Sequence, residues 1–187
     1  MSEKDQERWD NKWESRSQTA FEVHPVLINN QELLKGEGDA LDLACGRGQN
    51  ALWLATLGLR VVGLDISRFA LDFAIGEAQR HGLSNRTVFN QVDIDNYPLP
   101  EDAYDLICVV RFLDRGLFPR LKAALRPGGL IVYATRHLGV LDIHPDTNSA
   151  YLLRAGELLR EFDEWTVLHY QEGSIDAEII ATKPSSA

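Results

Sequence analysis

Residues 41–50, LDLACGRGQN, constrain the fold more than any other stretch of the 187-residue chain. A short apolar segment ends at two closely spaced glycines, Gly46 and Gly48, and apolar residues then recur at helical spacing in ALWLATLG. This pattern predicts a buried strand, a glycine turn and a helix. Glycines let a ligand lie against bare backbone, and a helix N-terminus offers N–H groups without intrahelical partners. The stretch therefore predicts the floor of a nucleotide-type cofactor site.

Composition and charge narrow the class of protein. The chain is 44% hydrophobic and 25% charged, which is ordinary for a globular protein, and its length predicts one domain, residues 1–187. A net charge of −9 disfavours nucleic acid and acidic membranes as partners. No apolar run reaches the roughly 20 residues of a membrane span, and the N-terminus, MSEKDQERWD, is too charged for a signal peptide. We expect a cytoplasmic protein in which Cys45 and Cys108 are reduced core thiols.

Strands and helices alternate along the chain, which predicts an α/β fold: a doubly wound, mostly parallel, seven-stranded sheet with a C-terminal antiparallel hairpin. The predicted strands are residues 41–44, 59–64, 86–92, 105–110, 130–135, 165–170 and 177–182. The predicted helices are residues 4–15, 25–35, 49–58, 69–82 (capped by Ser67), 118–125 and 155–162. A turn is expected at Pro127-Gly128-Gly129, and an irregular loop at residues 137–151.

Ligands of doubly wound sheets lie at the carboxyl ends of the parallel strands. The residues that follow the predicted strands are Cys45 to Gly48, Asp65, Asp93, Arg111 and Arg136. These positions are the candidates for cofactor and substrate contacts.

Two cofactors fit the glycine turn. Gly46, Gly48 and Ala51 read as G-x-G-x-x-A, and Asp65 follows about twenty residues later, as in dinucleotide-binding proteins. Asp42, inside the first strand, argues against a dinucleotide, because a carboxylate attracts an ammonium group and repels a pyrophosphate. Asp93 can accept a hydrogen bond from an adenine amino group, and the chain has no room for a separate substrate domain. A nicotinamide-dependent oxidoreductase stays the alternative.

As an ordered set, LDLACGRGQN, VVGLDIS, VDID, YDLICVV and LRPGGLIVY resemble the class I S-adenosylmethionine-dependent methyltransferases. The resemblance covers residues 41–135 and implies a Rossmann-like methyltransferase fold that binds S-adenosyl-L-methionine. Ala44 departs from the family pattern, because many members have glycine there; a small residue should be tolerated.

The resemblance also implies the cofactor contacts. Asp42 and the turn would hold the methionine end, Asp65 both ribose hydroxyls, Asp93 with Ile94 the adenine, and the segment after the fourth strand would lie beside the sulfonium. The expected cofactor set is Trp13, Asp42, Ala44, Cys45, Gly46, Gly48, Asn50, Asp65, Ile66, Asp93, Ile94, Val109, Val110 and Arg111.

Residues 1–36 form an expected N-terminal helical cover, with Trp9 and Trp13 spaced i, i+4 on one helix face. Two interpretations of this helix stay open. It is either a terminal helix packed on the core or a lid that closes over the cofactor, and the lid hypothesis places Trp13 at the cofactor.

At finer grain, the chain resembles the small TehB-like tellurite-resistance methyltransferases. The residues that carry this resemblance are the tryptophan-bearing N-terminal helix, ALDLACGRGQNALWLA, and the tail YLLRAGELLREFDEWTVLHYQEG. It implies a small-molecule acceptor, an oxyanion such as tellurite or selenite, or a thiol. A cofactor-binding regulatory module without an acceptor is a further alternative.

Three residues are candidates for acceptor chemistry. Arg111 and Arg136 could grip an oxyanion with their guanidinium groups, or could simply pair with nearby acids such as Asp114 or Asp142. His137 could act as a base towards a hydroxyl or thiol, or could be an exposed loop residue. No metal site is expected.

Overall fold

The computed structural model describes residues 3–15, 20–34 and 36–185. The helices are α1 (Glu3–Ser15), α2 (Pro25–Asn29), α3 (Gln31–Leu34), α4 (Gln49–Thr56), α5 (Arg68–Arg80), α6 (Phe118–Ala124) and α7 (Glu157–Glu161). The strands are β1 (Asp39–Leu43), β2 (Arg60–Asp65), β3 (Thr87–Gln91), β4 (Tyr104–Val110), β5 (Leu125–Arg136), β6 (Thr166–Glu172) and β7 (Asp176–Thr182). The chain divides into two compact units, Met1–Pro98 and Leu99–Ala187.

The first unit contains three parallel strands in the order β3-β2-β1. Their middles are apolar: Leu41 lies opposite Val62, and Val62 lies opposite Val88. Leu41 and Leu64 are fully buried. Helices α4 and α5 are amphipathic and pack their apolar residues against these strands. Each strand delivers its carboxyl end, and the residue that follows it, to one edge of this sheet.

The second unit contains four strands in the order β4-β5-β7-β6. Strand β4 runs parallel to β5, while β7 runs antiparallel to both of its neighbours. Its core includes an aromatic cluster, in which the Phe118 ring lies 5.3 Å from that of Tyr133 and 6.0 Å from that of Phe162. Strands β6 and β7 form the predicted C-terminal hairpin.

These strands make the expected seven-stranded mixed sheet, and the predicted α/β class is confirmed. Both cysteines are free and buried, as predicted. Among the described residues, no helix combines the length and apolar character that crossing a bilayer requires. The organisation into one domain, with residues 1–36 as a cover, stays a prediction.

Two predicted helices are wrong in their extent. The single helix expected at residues 25–35 is two short helices, α2 and α3, because the chain leaves helical geometry at Asn30 (φ −118°), whose side-chain amide donates to the Val26 carbonyl at 2.9 Å. The predicted end of that helix, Lys35, lies outside the described residues. The helix expected at residues 155–162 is only α7, which begins after Gly156 in the left-handed region (φ +64°).

The turn predicted at Pro127-Gly128-Gly129 is also wrong, because β5 continues through it. Gly128 N–H donates to the Lys183 carbonyl at 3.0 Å, and Lys183 N–H donates to the Gly129 carbonyl at 2.9 Å. Residues 126–129 instead interrupt the pairing of β5 with β4: Tyr104 pairs with Leu125, whereas Leu106 pairs with Leu130. The loop expected at residues 137–151 contains two 3-10 helices, Leu138–Asp142 and Ser149–Tyr151.

Candidate cofactor site and acceptor residues

The glycine turn between β1 and α4 is built from residues in the left-handed region. Ala44, Gly46 and Gly48 have φ values of +56°, +53° and +78°. The turn closes through a hydrogen bond of 3.0 Å from Gly48 N–H to the Cys45 carbonyl. Ala44 shows that a small side chain is accepted at the start of the turn, although left-handed geometry is unfavourable for it.

Gly46 and Gly48 need the absence of a side chain for different reasons. A Cβ on Gly48 would lie 2.7 Å from the Ala74 Cβ and 3.0 Å from the Phe89 ring, which are core atoms. A Cβ on Gly46 would lie 2.5 Å from the indole of Trp13, on helix α1. Gly48 therefore serves packing of the first unit, while Gly46 faces the surface against which α1 lies.

Asp65, at the end of β2, is the most constrained polar group of the site. Its carboxylate is buried and accepts hydrogen bonds from Gly46 N–H at 2.7 Å and from Ser67 N–H at 2.9 Å. Burial raises the pKa of Asp65, and these backbone donors partly offset the effect. The Ile66 N–H is a third backbone donor to this carboxylate, so most of its roughly four lone-pair sites are used within the protein.

The negative charges of Asp42 and Asp65 act on the thiol of Cys45 in the turn. Asp42 is 1% exposed on β1, where it pairs in register with Gly63. Burial raises the pKa of the Cys45 thiol, and the negative charges of Asp42 and Asp65 raise it further. Cys45 therefore stays a neutral thiol that packs in the turn, and it is not a nucleophile.

Asn50 and Arg47 anchor other segments to the turn. The Asn50 side-chain carbonyl, an expected cofactor contact, accepts a hydrogen bond of 3.0 Å from His24 N–H. The Arg47 guanidinium lies 3.9 Å from the centre of the Phe73 ring and 5.5 Å from that of Phe21. Sequence reasoning missed this cation–π arrangement, because its two aromatic residues are distant in the sequence.

The expected adenine residues follow β3. Asp93 accepts hydrogen bonds from Asp95 N–H at 3.0 Å and from the Asn96 side-chain amide at 2.7 Å. Ile94, after Asp93, and Ile66, after Asp65, are both buried. This end of the sheet therefore combines a fixed carboxylate with apolar side chains, as recognition of a purine requires.

In the second unit, Val109 is fully buried, Val110 is half-buried and Arg111 is exposed, at the end of β4. Arg111 has a left-handed φ of +61°, unusual for a residue with a side chain. Its Nη1 lies 3.2 Å from Oδ1 of Asp176, so Arg111 does pair with a nearby acid, although that acid is Asp176 and neither Asp114 nor Asp142. Asp114 instead accepts from Gly116 N–H.

Arg136 lies opposite the same acid, because it pairs in register with Asp176 across β5 and β7. Arg136 is exposed at the end of β5. The structure therefore brings Arg111, Arg136 and Asp176 to one end of the second unit's strands. Two positive charges and one negative charge leave this cluster net positive.

His137 is engaged by the main chain through both ring nitrogens. Its Nδ1 accepts from Gly139 N–H at 2.9 Å, which assigns the proton to Nε2, and Nε2 donates to the Gly173 carbonyl at 2.5 Å. These bonds cap the 3-10 helix Leu138–Asp142 and hold the hairpin turn. The geometry favours a structural role for His137 over proton transfer.

Arg115, which sequence reasoning missed, holds the segment that follows β5. Its guanidinium makes two hydrogen bonds to the Glu157 carboxylate, at 2.6 and 2.9 Å, and two more to the carbonyls of Ala150 and Leu152, at 2.9 and 3.0 Å. Leu153 N–H then donates to the Arg136 carbonyl at 2.9 Å. Arg115 thus fixes the backbone that lies beside Arg136.

Residues 40–129 match the methyltransferase domain family. This stretch, just under half of the chain, is similar to that family. The predicted resemblance to class I S-adenosylmethionine-dependent methyltransferases is confirmed at the level of the family, and so is S-adenosylmethionine as the family's cofactor. The match favours the methyltransferase interpretation over the nicotinamide-dependent alternative.

Three relatives illustrate the range of similar proteins. A 2-heptyl-1-hydroxyquinolin-4(1H)-one methyltransferase of Mycobacteroides abscessus is 36% identical over 104 residues, 56% of this chain and 43% of the relative. Hemagglutinin 1 of Eikenella corrodens is 34% identical over 141 residues, 71% of this chain and 45% of the relative. The probable S-adenosyl-L-methionine-dependent methyltransferase TehB of Haemophilus influenzae is 28% identical over 167 residues, 84% of this chain and 56% of the relative.

The chain thus spans about half the length of these curated relatives. The crystal structure of TehB from Haemophilus influenzae superposes with a TM-score of 0.76 at 19% identity, covering 94% of this chain and 67% of that one. This likeness shows a shared fold.

The residues of the methyltransferase domain fit S-adenosylmethionine. Oε1 of Gln49, in the first turn of α4, is buried and has no hydrogen-bond partner among the described residues. A buried acceptor of this kind suits a donor such as an ammonium group. Asp65 is a carboxylate at the position where a ribose hydroxyl is expected, and Gly46, which has no side chain, lies under the indole of Trp13.

Proposed function

We propose that this chain transfers a methyl group from S-adenosylmethionine to a small, anionic acceptor, an oxyanion such as tellurite or selenite, or to a thiol. The observation that carries the proposal is the buried Asp65 carboxylate, held by Gly46 N–H at 2.7 Å beside the glycine turn. This arrangement places a carboxylate beside a glycine turn, as the ribose contact of the proposed cofactor requires.

The proposed cofactor contacts follow from this geometry and from the family. Asp42, Gln49 and the turn Ala44–Gly48 hold the amino-acid end, Asp65 with Ile66 the ribose, and Asp93 with Ile94 the adenine. The family resemblance adds Val109, Val110 and Arg111 to the proposed contacts. Asn50 contributes by fixing the segment at His24.

The acceptor is proposed to be anionic because of Arg111 and Arg136. The Arg111–Asp176 ion pair is half-exposed, and pairs of this kind contribute little to stability, so an anion can replace the carboxylate. A guanidinium can also bind an oxyanion through two parallel hydrogen bonds. The similarity to TehB supports the methyl donor, and the two arginines carry the choice of acceptor.

Bound S-adenosylmethionine supplies a methyl group already activated on a sulfonium. The chain's own contribution is therefore to hold the two reactants in line, which can lower a barrier by roughly 7–11 kcal/mol in favourable cases. In this proposal Arg111 and Arg136 orient the acceptor. The engaged ring of His137 agrees with a reaction that needs no dedicated base.

Calorimetric titration with S-adenosylhomocysteine and with NAD, followed by a turnover assay, tests this proposal. We expect binding of S-adenosylhomocysteine alone, and methylation of at least one acceptor among tellurite, selenite and small thiols. Tight binding of NAD without binding of S-adenosylhomocysteine would refute the cofactor. Firm cofactor binding without turnover of any acceptor, catechols and amines included, would favour a regulatory module.

A further inference from the structure

Helix α1 is anchored to the start of α5 by one carboxylate. Asp10 Oδ1 accepts hydrogen bonds from Ser67 Oγ at 2.5 Å and from Phe69 N–H at 3.0 Å. Phe69 N–H belongs to the first turn of α5, whose amides have no partner inside the helix. Asp10 therefore completes the N-terminal cap that Ser67 begins through its bond to Ala70 N–H.

One turn further along α1, the indole of Trp13 lies directly on Gly46. A Cβ built on Gly46 would be 2.5, 3.0 and 3.3 Å from Cζ2, Cη2 and Cε2 of that indole. Non-bonded carbon atoms prefer separations of about 3.5–4.0 Å, so no ligand atom fits between the ring and this face of the turn. The indole fills the space that bare backbone would otherwise offer.

Asp10 and Trp13 contact the two residues, Ser67 and Gly46, whose N–H groups donate to Asp65. Its carboxylate bonds to Gly46 N–H, on which Trp13 lies, and to Ser67 N–H, whose side chain bonds to Asp10. Helix α1 thus lies along the edge where the proposed methionine and ribose contacts are found. The same helix cannot stay in this position while a ligand occupies the face of Gly46.

We propose that α1 is a gate on the cofactor site: Trp13 takes the place of the ligand against Gly46, and Asp10 is the latch that holds the gate closed. The proposal rests on the proposed cofactor site. It makes Asp10 a positioning residue that acts through Ser67, and it gives Trp13 a role before the cofactor binds. S-adenosylmethionine enters only after the helix has moved away from the turn.

The character of α1 agrees with a gate. A helix of 13 residues is marginal by itself in water, so its stability depends on docking. The aromatic face of Trp9 is covered by the helix's own Lys12, whose Nζ lies 3.8 Å from the ring centre. Release of Asp10 and Trp13 would therefore free the C-terminal half of the helix.

Association of S-adenosylhomocysteine with immobilised protein, measured by surface plasmon resonance, tests the gate. The variants are Asp10→Ala, which opens the latch but leaves the turn untouched, and Trp13→Ala, which removes the obstructing ring. Glu14→Ala is the matched control, because it removes an exposed carboxylate from the same helix. We expect kon to rise about fivefold or more in Asp10→Ala, because its hydrogen bonds to Ser67 and Phe69 are lost. We expect kon to rise in Trp13→Ala as well, because the indole no longer covers Gly46, and to stay unchanged in the control.

Hydrogen exchange of residues 3–15 provides the second measurement. Exchange should quicken in Asp10→Ala without ligand, and in the wild-type protein when S-adenosylhomocysteine is added. Binding with an unchanged or lowered kon in both variants would overturn the gate and leave the proposed function intact. Absence of binding by every variant would refute the proposed function, whereas binding by the two variants and not by the wild type would be the strongest form of the gate.

Discussion

At the scale of single residues, the two glycines of the turn have different roles: Gly48 allows packing of the core, and Gly46 lies at the proposed ligand face. Gly48 faces Ala74 and Phe89 of the core, whereas Gly46 faces only the indole of Trp13 among its nearest atoms. Both have left-handed φ values, so any side chain at either position carries a backbone penalty of about 1–2 kcal/mol. The difference between them comes from what the new Cβ meets.

Alanine at the two positions should therefore have unequal effects. Gly48→Ala should lower the free energy of unfolding by about 3 kcal/mol, since overpacking adds to backbone strain. Gly46→Ala should cost only about 1–2 kcal/mol, because the indole on α1 can move away. Urea unfolding measures both, and an equal loss in the two variants would show that Trp13 is as firmly held as the core.

Asp65 should contribute strongly to cofactor affinity. We expect Asp65→Ala to weaken binding of S-adenosylhomocysteine by about 2–3 kcal/mol, because charge-assisted hydrogen bonds to the ligand are lost. Asp72→Ala is the control, since Asp72 forms an exposed ion pair with Arg68 on α5. Titration calorimetry gives both values, and an unchanged dissociation constant for Asp65→Ala would refute the ribose assignment.

The buried carboxylate of Asp65 should also make the free energy of unfolding depend on pH. Burial raises its folded pKa above the ordinary value of 3.8, so its contribution is complete below that pH and is lost as the pH rises through the folded pKa. The stability of the wild type relative to Asp65→Ala should therefore fall as the pH rises above the ordinary carboxyl pKa and through the raised folded pKa. Urea unfolding across this range checks the sign, and a difference that grows with pH would contradict it.

At the scale of elements, Arg115 links the segments that follow β4 and β5. The pKa of Glu157 is lowered although burial opposes it, because Arg115 and the Arg154 N–H stabilise the carboxylate. Arg115 therefore acts as a clamp. It donates to the carbonyls of Ala150 and Leu152, and the neighbouring Leu153 N–H donates to the Arg136 carbonyl. The backbone at Arg136 is therefore supported by an interaction outside any recognisable motif.

Removal of the clamp should loosen this segment. Arg115→Ala should lower the free energy of unfolding by about 2 kcal/mol, because hydrogen bonds to a charged group are lost. Amide exchange over residues 148–156 should quicken as well. Arg126→Ala is the control: it breaks a half-exposed ion pair with Asp105, and such pairs contribute at most about 1 kcal/mol. Equal effects in the two variants would mean that Arg115 does not hold the segment.

The elements that the sequence predicted well are those with a local signal. The strand, turn and helix around Gly46 follow from apolar periodicity, and the cap at Ser67 follows from its hydroxyl. Pro127-Gly128-Gly129 carries an equally clear local signal for a turn, yet pairing with Lys183 keeps the segment in β5. Such long-range pairing cannot be read from a local window.

The candidate site also contains residues that a local sequence pattern predicts and residues whose partners depend on long-range contacts. Asp65, at a strand end with a neighbouring glycine turn, was predictable because its position repeats a known pattern. The ion pair between Arg111 and Asp176 joins residues 65 apart, and the clamp from Arg115 reaches Glu157 across 42 positions. Their partners depended on how β5, β7 and the connecting loop fold, which composition and spacing do not fix.

At the scale of the whole molecule, S-adenosylhomocysteine should stabilise the chain by mass action. At a concentration of about 100 times its dissociation constant, a ligand of the native state contributes about 2.7 kcal/mol. For a chain of 187 residues, each kcal/mol raises the melting temperature by roughly 2–4 °C, so a shift of about 5–10 °C is expected. NAD at the same concentration should give no shift, and a larger shift with NAD would reverse the cofactor assignment.

The same calorimetric scan tests whether residues 1–187 behave as one domain. A single domain unfolds in one cooperative transition, so the whole transition should move to higher temperature with S-adenosylhomocysteine. Two transitions, of which the ligand moves only one, would show that Met1–Pro98 and Leu99–Ala187 unfold independently. Because Asp65 and the glycine turn belong to the first unit, the transition that moved in that case would be the one of Met1–Pro98, and Asp65→Ala would abolish its shift.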